Sequence, residues 1–160
     1  MEDNTTVDTT ATVPQMQIIS SEIVKDGMKN STLYTLSGAA LPEPIIRKYR
    51  DLSALRSKLV ERWPGVVIQE LPAKKQIIEK DYEEYRKEML NRFCMRFTEI
   101  PFILNSEETK CFIETNKDAA KAITALPTLS YDELLKRFSK TFTNYVDNYD
   151  VIQGKANQAF

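Results

Sequence analysis

The chain has 160 residues, a formal net charge of −1, and 42% hydrophobic and 28% charged residues, which predicts one globular domain with tails. It contains no histidine, its two cysteines form no CxxC pair, and its four glycines form neither a GxGxxG motif nor a P-loop. These features exclude histidine-dependent triads, Cys/His zinc sites and glycine-cradled nucleotide sites, so we expect no metal and no cofactor. We expect no enzymatic activity, because the carboxylates are scattered on helix faces in a solvated pattern.

The apolar runs and the charge distribution exclude further classes. The longest apolar runs are far shorter than the roughly 18 residues that span a bilayer, and residues 1–14 lack the basic start and apolar stretch of a secretory signal. Residues 47–92 carry 12 Lys and Arg against 8 Asp and Glu, a local balance of +4. A basic middle between acidic ends favours a local anionic ligand over a nucleic-acid surface.

Three segments near the N-terminus predict an antiparallel sheet. Residues 1–15 are rich in Thr, Asp and Asn and lack a period, so we expect a disordered tail. Residues 16–24 are β-branched and 32–37 alternate, which predicts two strands joined by the Asp, Gly and Asn turn residues of 25–31. A third short strand is predicted at 45–49.

Helical periodicity follows the strands. Apolar residues at steps of three and four predict helices over 52–63, 82–97, 106–113 and 131–149, and an extended loop around Pro72 separates the first two. Strands followed by helices predict an α+β fold, with a three-stranded antiparallel sheet packed against the helices. The residues expected in the core are Leu55, Leu59, Trp63, Met89, Phe93 and Phe112.

Basic residues on three separate segments carry the functional signal. A phosphate needs a cationic donor and a sugar ring needs a flat apolar platform, so cations beside an aromatic ring indicate a sugar phosphate. Each segment alone is more often a solvated surface, but together they predict one ligand site. The segments contain Arg47, Lys48 and Tyr49 at the end of the third strand, Lys74 and Lys75 after Pro72, and Arg86 in the second helix.

The order of these segments resembles a PX (phox homology) domain, most closely one of the sorting-nexin type. The resemblance is carried by IIRKYRDLSALRSKLVERWPG, LPAKK, EEYRKEMLNRF and the helix that contains Phe112 and Ile113. It implies a PX-like sheet with a helical subdomain over residues 16–115, after a tail at 1–15. The implied function is a module that binds phosphatidylinositol 3-phosphate and targets a cytoplasmic protein to endosomal membranes in sorting and trafficking.

Roles for individual residues follow from the resemblance by position. It implies that Lys48 binds the 3-phosphate, that Tyr49 stacks under the inositol ring and that Arg86 bonds the 4- and 5-hydroxyls. Lys48 stands where the family usually has arginine. Arg47 would take over its role if the strand were shifted by one residue.

The loop before the second helix supplies the remaining implied contacts. Lys74 meets the 1-phosphate, with Lys75 as its alternative. Ile77 and Ile78 follow these lysines, and in the family this loop dips into the bilayer. Apolar side chains beside basic ones suit a membrane interface, although packing on the second helix is the competing interpretation.

Residues 116–160 are expected to form a linker and an amphipathic C-terminal helix, for which three interpretations stay open. The helix packs back on the domain, begins a linker or a BAR-type coiled region that dimerises, or binds a membrane with the help of Lys136, Arg137 and Lys140. The sequence leaves open whether the chain is part of a longer sorting nexin.

A competing function is a protein-interaction module on the same scaffold, with weak or no lipid binding. Lys48 in place of arginine and a loop with only Pro72 favour this alternative.

Overall fold

Three strands near the N-terminus form an antiparallel sheet with the order β1-β2-β3. The computed structural model describes residues 13–75 and 79–158, with side chains as far as Val146. The strands are β1 (Gln17–Asp26), β2 (Lys29–Ser37) and β3 (Ile45–Lys48). Gly27, at φ +66°, starts the two-residue turn between β1 and β2, a backbone conformation that favours glycine. The predicted hairpin and third strand are confirmed, whereas residues 1–12 of the predicted tail lie outside the described residues.

Six helices follow the sheet in the described part of the chain, which confirms the predicted α+β class. They are α1 (Tyr49–Arg62), α2 (Lys80–Phe97), α3 (Pro101–Leu104), α4 (Glu107–Glu114), α5 (Ala119–Thr124) and α6 (Tyr131–Gln158). The sequence did not predict α3 and α5, because elements of four and six residues are too short to show a helical period.

The core lies between the sheet and the helices and contains most of the expected residues. The buried face of α2 is turned relative to the predicted stripe, because it runs through Arg86, Leu90, Cys94 and Phe97. Met89 is therefore only partly buried, and the prediction that it belongs to the core is wrong. The other residues expected in the core are all buried, and they are Leu55, Leu59, Trp63, Phe93 and Phe112.

Helix α5 packs on α1 and extends the core beyond residue 115. Ile123 is fully buried. The carboxylate of Asp51 joins the two helices, since it accepts one hydrogen bond from the N–H of Ala120 at 3.0 Å and another from the N–H of Lys48 at 2.8 Å. Packed structure therefore continues beyond residue 115, through α5.

Helix α6 contacts the domain through Arg137, which corresponds to the first of its three predicted arrangements. The Arg137 guanidinium lies 4.3 Å from the centre of the Trp63 ring and donates to the carboxylate of Glu108 at 2.8 Å. At Gly65, a Cβ atom would lie 3.0 Å from the ring of Phe138, and φ there is +90°. Glycine therefore allows α6 to approach the end of α1 closely.

The carboxylate of Glu108 is the centre of this contact. It is fully buried and accepts hydrogen bonds from Arg62, from Arg137 and from the indole N–H of Trp63 at 3.1 Å. Burial by itself would raise the pKa of the Glu108 carboxyl, but the hydrogen bonds from Arg62 and Arg137 outweigh it and hold the pKa at about 2. The ionised carboxylate therefore joins α1, α4 and α6.

Acidification should remove the stability that ionised Glu108 supplies. The folded-state pKa of about 2 lies below the ordinary 4.5, so this stabilisation is complete above pH 4.5 and is lost as the pH falls towards 2. Between about pH 5 and pH 2 the free energy of unfolding should fall by about 3 kcal/mol more in the wild type than in Glu108→Gln. Urea unfolding at both pH values measures the difference, and equal losses in the two proteins would contradict the assignment.

Candidate functional site

Tyr49 connects the start of α1 to the loop that contains Pro72. Tyr49 is the first residue of α1 and follows β3 directly, so the chain turns between strand and helix at this point. Its phenol donates a hydrogen bond to the carbonyl oxygen of Pro72 at 2.7 Å. The loop is therefore fastened to α1 just before Lys74 and Lys75.

Arg86 lies beside Tyr49 and is held by groups on two elements. The guanidinium lies 5.4 Å from the centre of the Tyr49 ring, and Arg86 is only 3% exposed. Its Nε donates to the hydroxyl of Tyr34 at 3.1 Å, and its Nη2 donates to Thr32 at 3.2 Å and to the carboxylate of Glu83 at 2.8 Å. These bonds fix the orientation of the guanidinium plane against the sheet.

Lys75 contacts Tyr82, whose side chain lies near Tyr49. The sequence predicted no functional role for Tyr82. The ammonium of Lys75 lies 4.1 Å from the centre of the Tyr82 ring, and the Tyr82 hydroxyl donates to the carbonyl of Ala73. Burial raises the pKa of the Tyr49 phenol, and so does the nearby Tyr82, whereas Arg86 lowers it. We refer to Tyr49, Lys75, Tyr82 and Arg86 as the Tyr49 cluster.

Lys48 is next to Tyr49 in the chain but its side chain has other neighbours. Lys48 pairs with Leu33 across the sheet, and it lines a cavity of about 330 Å³ together with Arg50 and Asp118. Because side chains alternate along a strand, Lys48 points to the opposite face from Arg47. The structure thus brings Tyr49, Lys75 and Arg86 together and leaves Lys48 at a neighbouring cavity.

Arg47, the alternative phosphate ligand, lies outside the Tyr49 cluster. It is 5% exposed, and its guanidinium donates to the carbonyl of Phe112 at 2.9 and 2.6 Å and to that of Ile113 at 3.0 Å. These carbonyls belong to the last turn of α4, where a cation is favourable. In the observed register, Arg47 therefore holds α4 against β3.

The remaining predicted residues lie in the loop before α2. Lys74 is exposed. Ile77 and Ile78, predicted to insert into the bilayer, lie outside the described residues. Among the residues that the structure describes, no group of His, Cys, Asp or Glu side chains has the geometry of a metal site.

Sequence reasoning missed Tyr34, Thr32 and Glu83 as partners of Arg86. Glu83 precedes Arg86 by three residues on α2, a spacing that brings opposite charges together on a helix, so the sequence contained this signal. The contacts from Tyr34 and Thr32 depend on how β2 packs against α2, for which the sequence gives no local signal.

The region that contains the Tyr49 cluster matches a known protein family. A family model described as the PX domain matches residues 42–116, a range that includes the whole Tyr49 cluster. The X-ray structure of a designed CISK-PX domain superposes with a TM-score of 0.55 at 27% sequence identity, covering 62% of this chain and 98% of that chain. No curated protein sequence is matched.

Proposed function

Because the chain contains a PX domain, and PX domains generally bind phosphoinositides, we propose that it binds phosphatidylinositol 3-phosphate with the Tyr49 cluster and Lys48. The observation that supports this most is the position of Arg86, whose guanidinium is fixed 5.4 Å from the Tyr49 ring beside a loop with two lysines. We propose that the protein is a non-enzymatic, sorting-nexin-type module that acts in sorting and transport.

Each member of the site suits a different part of the headgroup. The Tyr49 ring offers an apolar platform for one face of the inositol ring. Arg86 presents a planar fork to adjacent hydroxyls, and Lys74 or Lys75 supplies a point charge for the 1-phosphate. Lys48 would reach the 3-phosphate by rotating its flexible four-carbon stem from the cavity that it lines.

A PX domain suggests peripheral association with a membrane. No helix in the described ranges is both long and apolar enough to cross a bilayer. We propose that the protein is cytoplasmic, that it binds endosomal membranes and that Ile77 and Ile78 enter the bilayer interface. Their place directly after Lys75 in the sequence supports this, because apolar and basic side chains together bind interfaces.

Vesicles with phosphatidylinositol 3-phosphate should bind the protein better than vesicles with phosphatidylinositol, and salt should weaken the binding.

Substitution of Lys48 should change lipid binding in both directions. Lys48→Ala should abolish the preference, whereas Lys48→Arg should raise affinity about fivefold, or about 1 kcal/mol, because a guanidinium gives two parallel bonds to a phosphate. Vesicle sedimentation measures all of these.

The control for this experiment is Arg50→Ala, which removes a neighbouring exposed cation paired with Asp118. It should keep the lipid preference. If the wild type binds both kinds of vesicle equally, the lipid function is wrong and the protein-interaction alternative is favoured.

One observation favours a second role, which is self-association through α6. A stripe of apolar side chains on α6 stays exposed although Arg137 holds the helix to the domain. From Tyr131 to Tyr145 the stripe advances in alternating steps of four and three, the spacing of a seam between two paired helices. The exposed members are Tyr131, Leu135, Phe138, Phe142, Tyr145 and Val146.

We therefore propose that a second copy of this chain covers the α6 stripe. A seam of this spacing is narrower than the apolar face of a helix that lies on a membrane. Phe142→Glu should give a monomer, because it buries a charge in the seam, while Thr143→Glu, on the neighbouring exposed position, should remain a dimer. Sedimentation equilibrium measures the mass. A monomeric wild type would contradict the proposal, as would vesicle binding that Phe142→Glu alone removes.

A further inference from the structure

Glu83 places a carboxylate against the group that would bind the inositol hydroxyls. One of its oxygens accepts a hydrogen bond from Arg86 Nη2 at 2.8 Å, and the other accepts one from the Tyr34 hydroxyl at 2.8 Å. The side chain of Glu83 is 12% exposed and that of Arg86 is 4% exposed. The site therefore presents a cation and an anion side by side, and not a cation alone.

This pair suits hydroxyls better than phosphates. A hydroxyl both donates and accepts hydrogen bonds, so two adjacent hydroxyls can accept from Arg86 and donate to Glu83. A phosphate carries negative charge and has only acceptor oxygens when fully ionised. It would compete with Glu83 for the same guanidinium while its charge is repelled by the carboxylate.

We propose that Glu83 determines specificity by rejecting headgroups with a further phosphate next to Arg86. The inference rests on the proposed function, because it assumes that the headgroup lies on the Tyr49 cluster. Phosphatidylinositol 3-phosphate leaves both hydroxyls near Arg86 free, whereas bisphosphates with a second phosphate at the 4- or 5-position do not. Glu83 thus adds a repulsive element to a site whose other charged members, Lys75 and Arg86, attract anions.

The matched substitutions are Glu83→Gln and Glu84→Gln. The first keeps the shape of the side chain at Arg86 and removes its charge, while one of its two acceptor oxygens becomes an amide donor. The second makes the same change of net charge one residue further along α2, at an exposed position. Any effect of overall charge on membrane binding should therefore appear in both variants, and an effect of the contact with Arg86 only in Glu83→Gln.

The experiment compares vesicles with phosphatidylinositol 3-phosphate and vesicles with the 3,4- or 3,5-bisphosphate, with surface charge equalised by phosphatidylserine. The ratio of the two dissociation constants is the readout. Glu83→Gln should reduce the preference for the monophosphate about tenfold, because a like charge is removed within a few ångströms of the added phosphate. Glu84→Gln should leave the ratio at its wild-type value. Glu83→Ala serves as a second neutral variant if Glu83→Gln lowers Tm, since alanine suits the helix.

Failure of the inference and failure of the proposed function give different results. If wild-type protein binds the monophosphate vesicles but Glu83→Gln leaves the ratio unchanged, or Glu84→Gln changes it equally, the role of Glu83 is overturned. If wild-type protein binds no phosphoinositide vesicle, the proposed function is overturned and the inference with it. Soluble headgroups should reproduce the change in ratio, and a change confined to vesicles would assign it to surface charge and overturn the inference.

Discussion

Burial of the Arg86 guanidinium between α2 and β2 is the constraint on which the site depends. Removing a guanidinium from water is costly unless it is paired and hydrogen-bonded. Glu83, Tyr34 and Thr32 meet that need at 2.8, 3.1 and 3.2 Å. Burial also raises the pKa of the Tyr34 phenol, and its hydrogen bond to Glu83 raises it further. Tyr34 is therefore a neutral donor to Glu83, and the network keeps Arg86 in one orientation beside Tyr49.

Three buried arginines have distinct roles that their partners explain. Arg47 donates to backbone carbonyls of α4, and Arg62 donates to Glu107 and Glu108, which joins α1 to α4. Both hold elements of the domain together. Arg86 differs because the aromatic ring beside its guanidinium belongs to Tyr49, which is hydrogen-bonded to the loop that carries the lysines. This position makes it the one suited to a ligand among the three.

The sequence predicted the sheet and the long helices because each element is long enough to show its hydrophobic period. Most of the core residues lie on these elements and were predicted with them. It placed the buried face of α2 incorrectly, since steps of three and four fit both the stripe through Met89 and the observed face through Leu90. Phe93 and Phe97 belong to both stripes. Tyrosine tolerates exposure, and Tyr85 is half exposed in the structure, so aromatic content alone did not identify the buried side.

The candidate site was predictable in composition but not in arrangement. The run from Arg47 to Tyr49 identified the basic strand end, but only the pairing of β3 with β2 decides that Arg47 bonds to α4, while Arg47 and Lys48 both border the cavity. The contact of Arg86 with Tyr49 depends on three elements far apart in the chain. Local patterns contain no information on such packing, whereas the Glu83 and Arg86 pair, three residues apart on one helix, follows from helix geometry.

The most direct test of the account is an NMR titration with soluble, short-chain phosphatidylinositol 3-phosphate that follows the Nε–H resonance of Arg86. The account predicts that this resonance and the amides of Tyr49 and Lys75 shift together and saturate with one affinity. Shifts confined to α6, or to the cavity beside Arg50 and Asp118, with the Arg86 resonance unchanged, would contradict it.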